Sequence, residues 1–283
     1  MQGFERAGLY FGHGTDNALD ESFHLACFAL RLTPAQAERR VERALTVTQT
    51  AAVKKLFAQR IRTRKPAAYL IGEAWFCGLP FHVDERVLVP RSPIAELIET
   101  RFQPWLPRAP KRVLDLCAGS GCIGIAAAKA LPASSVDLAE LDTGALAVSM
   151  KNIRRHRLSR RVRAVHSDLF AELKDEKYDL IVSNPPYVPT AEWRALPREY
   201  HQEPRLALEA GCDGMDLVAR ILDGAPQHLH AGGTLICEVG GSQREFDRRF
   251  PRLPAVWPEF ERGGDGVFII SREELLTSQR KRP

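Results

Sequence analysis

The chain has 283 residues, 45% hydrophobic and 27% charged, with a formal net charge of +5 at pH 7. That is ordinary for a globular protein, allows one large domain plus a smaller one, and admits an acidic partner such as RNA without requiring it. No run approaches the ~18 apolar residues of a membrane span, the first residues lack the apolar core of a secretion signal, and the six cysteines show no C-x-x-C pairing, so a reduced, cytoplasmic protein without membrane, metal or disulfide framework is expected.

Residues 16–65 are predicted helical. Phe23, Cys27 and Leu30 recur at helical spacing, Pro34 suits a first turn, Val41 and Leu45 repeat the period, and Ala52, Leu56 and Phe57 carry it into a third helix. That helix ends in the basic run Arg60, Arg62, Arg64 and Lys65 before Pro66. Residues 74–76 and 79–89 read as a hairpin turning at Cys77-Gly78, with Trp75 and Phe76 expected in the core. Pro90-Arg91-Ser92-Pro93 ends it, and a helix follows to about Phe102. From Lys111 onward strands and helices alternate: strands at 113–116, 135–141, 162–165, 180–183 and 234–239, helices after the first of these and at 144–157 and 215–229. Residues 256–260 and 266–270 read as a terminal hairpin. Such alternation predicts an α/β fold, a parallel sheet with helices on both faces and an antiparallel edge.

Asn184-Pro185-Pro186-Tyr187 follow the strand that begins near Tyr178. Neither proline has an N–H for a strand ladder, and Pro185 biases Asn184 away from helix. A rigid, extended turn is expected at the carboxyl end of that strand, where open α/β sheets bind ligands. A planar –NH2 group can donate to the Asn184 side-chain oxygen and to the Pro185 carbonyl, with Tyr187 packed flat against it. The turn is a cradle for an amide or an aromatic amine.

Asp115 to Gly124 contain G-x-G-x-x-G between a strand and a helix, a weak signal alone that admits a dinucleotide fold. Glu140, ending the next strand, can accept both hydroxyls of a ribose, with Asp142 its competitor. Asp115 lies just upstream of the glycines, where it would repel a pyrophosphate but pair with a cationic amino group. S-adenosylmethionine has such a group and no phosphate. Cys117, Ala118, Gly119, Gly121 and Leu141 are expected to line its site. Asp168 can accept from an adenine amine, with Leu169 or Phe170 against the ring; a helix N-cap is the other reading of Asp168.

From about Tyr10 to Ile270 the chain resembles the HemK/PrmB family of protein-glutamine N5-methyltransferases. The resemblance is carried by Phe11-Gly12-His13-Gly14-Thr15-Asp16-Asn17, Ala74 to Gly78, Val83 to Pro93, the glycine loop, Asn184 to Tyr187, Glu203-Pro204 and Gly263 to Phe268. Where release-factor-modifying members read Pro-Arg-Pro-Asp-Thr-Glu, this chain has Pro90-Arg91-Ser92-Pro93-Ile94-Ala95-Glu96. That version, with Trp75-Phe76-Cys77, looks like the PrmB branch, which methylates a glutamine of large-subunit ribosomal protein L-three. Members commonly have Asp where this chain has Glu140, and often another helical segment before Asp16, whose absence points to a late or truncated start.

The resemblance implies a class I, Rossmann-like methyltransferase fold with a seven-stranded, mostly parallel sheet. It implies a helical substrate-recognition domain over 1–70, a hairpin linker over 71–92 and a methyltransferase domain over 93–283. Asn184, Pro185, Pro186 and Tyr187 would be catalytic, and Arg91 would join Asn184, Pro185 and Tyr187 in binding substrate. S-adenosylmethionine would be held by Asp115, Cys117, Ala118, Gly119, Gly121, Glu140, Leu141, Asp168, Leu169 and Asn184. The partner would be ribosomal protein L-three or a ribosome assembly intermediate. The basic run Arg154, Arg155, Arg157, Arg160, Arg161 and Arg163 reads as a solvated face, with ribosomal RNA contact the alternative. His201 is expected to be a loop contact. The same reaction on release factors, a DNA or RNA amino-methyltransferase, a cofactor-free scaffold and an NAD dehydrogenase are the competing readings.

Overall fold

The structure is a computed structural model and describes residues 1–40, 42–106 and 108–280; Val41, one of the predicted helical apolar positions, lies outside them. The chain begins with helices Gln2–Arg6, Ala18–Leu30, Pro34–Glu38, Val47–Thr63 and Ala67–Ile71. Their starts are written in the sequence: the Asn17 side chain accepts from the Asp20 N–H, and Thr33 with Gln36 and Thr46 with Gln49 form reciprocal capping boxes. The Thr46 cap leaves Leu45 outside the helix and exposed. Phe4, Leu9, Ala18, Leu25 and Ala67 form a core of this unit's own, with Phe11, Leu56 and Phe57 packed against it. The helix carrying Phe4 is too short to show a period and was not predicted.

A hairpin of β1 (Glu73–Phe76) and β2 (Leu79–His82) turns at Cys77-Gly78, both with positive φ, as two-residue hairpins require. Strand alternation buries Phe76 and leaves Trp75 64% exposed, which corrects the expectation for Trp75. The main sheet is built from β3 (Arg112–Leu116), β4 (Ser135–Glu140), β5 (Val162–His166), β6 (Tyr178–Ser183), β7 (Leu229–Glu238) and β8 (Val267–Ser271), in the order β5-β4-β3-β6-β7-β8. All neighbours run parallel except β8, which is antiparallel to β7. Val113, Leu138 and Val182 face one core with Ile123 and Ala127; Leu114, Leu116 and Ile181 face the other with Val218 and Ile221. Burial on both faces explains why these strands are nearly continuous apolar runs. Each such side chain contributes about 1.5–3 kcal/mol of burial.

Among the described residues the sheet has six strands. The predicted partner at 256–260 makes only the single bridge Val256↔Ile269, because Pro251, Pro254 and Pro258 punctuate that segment and donate nothing to a ladder. The predicted terminal hairpin is thereby reduced to one residue pair, and a helix, Arg272–Arg280, follows β8 instead. No helix of the described residues is long and apolar enough to cross a membrane.

Candidate functional site

Strand order reverses beside β3, which has β4 on one side and β6 on the other, and a crevice opens at their carboxyl ends. It holds a cavity of about 350 Å³. Cys117, Ala118, Gly119 and Ser120 enter it from the loop after β3; Glu140, Leu141 and Asp142 from the end of β4; Asp168 and Leu169 after β5; Asn184 and Pro186 after β6; Arg91 from the segment before the helix Ile94–Glu99. A second cavity of about 20 Å³ is lined by Leu88, Arg91, Asn184, Pro185, Tyr187 and Leu208. Asn184 and Arg91 therefore stand on the wall between the two.

Two expected site residues lie beneath the larger cavity rather than on it. Gly121 is the left-handed N-cap of the helix Cys122–Ala130. Asp115 is 1% exposed, and its Oδ2 accepts the Gly124 N–H at 2.8 Å while Oδ1 has no partner. Gly124 is obligatory because a Cβ there would meet Leu138 at 2.2 Å. Burial pushes the Asp115 carboxyl up to about 7 against the pull of that N–H. The Ser120 hydroxyl, on the cavity wall, is likewise buried without a partner.

Glu140 Oε2 accepts from the Gly119 N–H and Oε1 from the Asp142 N–H, both at 2.8 Å, which leaves a second acceptor direction on each oxygen. Burial raises its pKa, with those N–H groups opposing. Asp142, its competitor in the sequence, caps the helix Thr143–Arg155 by accepting from Ala145. Asp168 is not a helix cap: turns follow it, Ser167 takes the Glu172 N–H, and Asp168 pairs with Arg220 at 2.8 Å between two exposed side chains. Leu169 lines the cavity, whereas Phe170 is stacked on His228 and does not.

Four carboxylates (Glu85, Glu140, Asp142, Asp168) and two guanidiniums (Arg86, Arg91) are among the lining side chains. Both guanidiniums are already engaged, Arg86 with Asp84 and Arg91 with Glu203, each through two hydrogen bonds. A pyrophosphate would find excess negative charge and no uncommitted cation. A cationic, ribose-bearing ligand finds the free acceptors of Glu140 and the Ser120 hydroxyl on the cavity wall, with the Asp115 carboxyl beneath the loop. Among the described residues no cluster of three or more His, Cys, Asp or Glu has metal-binding geometry.

Across the wall, the Asn184 amide nitrogen donates to the Arg91 carbonyl at 3.5 Å. Among the described residues nothing donates to the Asn184 side-chain oxygen or to the Pro185 carbonyl. Tyr187 donates its hydroxyl to Glu238 at 2.9 Å, and its ring lies so close to Gly240 that a Cβ there would stand 2.6 Å from it. The turn is thus pinned from behind, with two acceptors left in front.

The helical unit reaches this wall through buried charge. Arg91 pairs with Glu203, Glu203 also takes the Val89 N–H, and His13 Nε2 lies 3.3 Å from it. Burial opposes ionisation of Glu203, but Arg91 and His13 hold its pKa down to about 2. Next to it Glu199 accepts from the Tyr10 N–H and faces Arg60 and Arg64. Arg60, fully buried, also binds Glu21 at 2.8 Å. The basic run 60–65 is therefore structural at Arg60 and Arg64. The run 154–163 is half spent as well: Arg155 pairs with Glu73, Arg161 donates to the Ala128 and Ser134 carbonyls, and Arg163 binds Asp137 and Glu176. His201 makes an edge contact with Trp193, as a loop residue. Glu199 and Glu238 were not singled out from sequence; Glu238 ends a strand, as Glu140 does, and that position was the available signal.

The methyltransferase small domain family matches residues 98–196. A ribosomal protein uL3 glutamine methyltransferase of Xylella fastidiosa is 48% identical over 274 residues, covering 96% of this chain and 88% of the relative. One from Francisella tularensis is 44% identical over 270 residues, covering 95% and 86%. Among solved structures, a methyltransferase from Pyrococcus furiosus superposes with a TM-score of 0.51 at 18% identity over 69% of this chain and 89% of that one, a likeness of fold alone.

Proposed function

This chain belongs to the ribosomal protein uL3 glutamine methyltransferase family, and from that premise we propose that it transfers a methyl group from S-adenosylmethionine to the side-chain amide nitrogen of a glutamine in uL3. The observation that carries the chemistry is the pair of unpartnered acceptors, the Asn184 side-chain oxygen and the Pro185 carbonyl, on the wall between two cavities.

The larger cavity fits the methyl donor. Glu140 takes the ribose hydroxyls, Asp115 supports the amino group from beneath the loop, Cys117, Ala118, Gly119 and Gly121 shape that loop, and Leu141, Asp168 and Leu169 enclose the adenine. When bound, S-adenosylmethionine supplies a methyl made electrophilic by its sulfonium sulfur. A glutamine amide is a poor nucleophile, since its nitrogen lone pair is delocalised into the carbonyl. Asn184 and Pro185 accept its two N–H bonds and fix the nitrogen, while Pro186 keeps the turn rigid, and Tyr187 and Arg91 border the smaller cavity. As the new C–N bond forms and the C–S bond breaks, positive charge moves onto the nitrogen, and the two acceptors hold it more strongly than the ground state. The N-protonated methyl amide first formed is strongly acidic and gives its proton to solvent, leaving the neutral N-methyl amide.

The helices of 1–70 serve substrate recognition, the hairpin of 71–92 links them, and 93–283 carries transfer. The working partner is uL3 itself or an assembly intermediate in the cytoplasm, with Arg154, Arg157 and Arg160, exposed and without ion pairs among the described residues, available to ribosomal RNA. The test is methyl transfer from labelled donor to purified uL3, read by mass spectrometry, beside Asn184→Ala. That variant is expected to lose about 10²–10³-fold in kcat, by analogy with deleting one preorganised hydrogen-bonding group, and only modestly in donor affinity. Wild-type turnover by Asn184→Ala, or methyl transfer to nucleic acid instead of uL3, would overturn the reading.

A further inference from the structure

We propose that Glu238 is a positioning residue that holds the Asn184 amide and the Tyr187 ring in the one arrangement that leaves the Asn184 side-chain oxygen free for the substrate nitrogen. Glu238 ends β7 directly behind the turn and is 4% exposed. Its Oε1 accepts from the Tyr187 hydroxyl at 2.9 Å and its Oε2 from the Ser92 hydroxyl at 2.5 Å, and the Asn184 amide also faces it. Ser92 in turn accepts the Ile94 N–H, so three separate segments meet on one carboxyl: the 90–93 turn, the 184–187 turn and β7.

Among the described residues no cation hydrogen-bonds to Glu238, since its neighbour Arg91 is committed to Glu203. Its hydrogen-bonding capacity is therefore spent on neutral groups of the site. This matters because the two ends of an asparagine side chain have nearly the same shape and opposite hydrogen-bonding character. The Arg91 carbonyl takes the Asn184 –NH2 at 3.5 Å and the Glu238 carboxyl beside it favours that same end, so the carbonyl end is left in front. Polarisation through those acceptors also raises the electron density on the front oxygen, which faces the nitrogen where positive charge develops during transfer. The Tyr187 tether does the matching task for the ring, which Gly240 lets approach without a Cβ in the way.

The inference rests on the reaction proposed above, and the test separates the two. Wild-type transfer to uL3 tests the reaction; the ratio of variant to wild type tests Glu238. In full-length Glu238→Gln the carboxamide presents a donor where an acceptor stood, so kcat is expected to fall by about ten- to a hundredfold, the range of a charge-assisted hydrogen bond. The donor Kd by calorimetry and the KM for uL3 should stay within about threefold, well below that loss. A folded Glu238→Gln with wild-type kcat, or a loss carried by donor affinity, overturns the proposal. Should Glu238→Gln fail to fold, Tyr187→Phe and Ser92→Ala decide it, each removing one hydroxyl from the intact carboxyl: a lowered kcat at constant KM supports the role, and wild-type kcat in both overturns it.

Discussion

Asp115 and Glu140, at the carboxyl ends of β3 and β4, are held by the backbone N–H groups of Gly124, Gly119 and Asp142 and, among the described residues, by no cation, whereas Glu21, Glu199 and Glu203, on the helical side, each face an arginine. Both sets are buried, so the difference lies in what compensates the burial. Backbone N–H groups orient a carboxylate and leave it short of positive charge. At Glu203 the arginine completes the compensation and the pKa falls, whereas at Glu21 burial still outweighs Arg60 and the pKa stays raised. The first region keeps open acceptor directions; the second is spent on holding the helical unit against the loop that carries Glu199 and Glu203.

The sharpest way to break this comparison is Arg60→Ala. It leaves Glu21 and Glu199 buried without their shared partner and is expected to cost about 3–5 kcal/mol in urea unfolding. Donor binding in the folded fraction should be close to wild type. A loss under about 1 kcal/mol would mean that this junction is no stronger than a surface pair. Glu140→Ala should show the reverse pattern, with donor affinity falling about ten- to a hundredfold and stability moving less than in Arg60→Ala. Unchanged calorimetric affinity would remove Glu140 from the donor site.

The last effect, small when read per pH unit, is a slope. Asp115 is raised from 3.8 to about 7, so its contribution to stability is full below pH 3.8 and is lost as pH rises through about 7. Glu203 is lowered from 4.5 to about 2, so its contribution is full above pH 4.5 and is lost as pH falls through about 2. Between pH 4 and 7 wild type should therefore lose stability relative to Asp115→Asn, by at most about 1.4 kcal/mol per pH unit. Parallel profiles for the two proteins would show that Asp115 is not strained by its burial.

The strand ends and loops that line the larger cavity were largely legible in the sequence because their signals are local. A strand, a glycine loop and a carboxylate ending the next strand lie within one βαβ stretch, and two adjacent prolines announce a turn without reference to anything else. The far side was not legible for the opposite reason. Glu203 and His13 stood only as parts of resembling segments, and that Glu203 joins Arg91 to His13 depends on contacts across more than a hundred residues. In the run 60–65 charge in sequence carries no sign of burial, yet Arg60 is fully enclosed. β7 begins earlier than expected because Gly232 and Gly233 look like a loop and are strand residues here. The missing seventh strand is the converse case: Val256, Trp257 and Phe260 are apolar, but Pro258 among them and Pro254 before them donate nothing to a ladder.

The Tyr10 N–H and the Glu199 carboxylate that receives it are 189 residues apart. Synthesis proceeds from the N-terminus, so the helical unit emerges with its own core but with Arg60 lacking Glu199 until most of the chain has been made. Contacts of such separation are slow to close. The last surface of the helical unit to become satisfied is therefore the one against the 199–203 loop, and with it the support of Arg91 beside Asn184. A nascent chain stalled before residue 199 would already own a glycine loop and an Asn184 turn, but not the backing that holds Arg91 at the wall between the cavities.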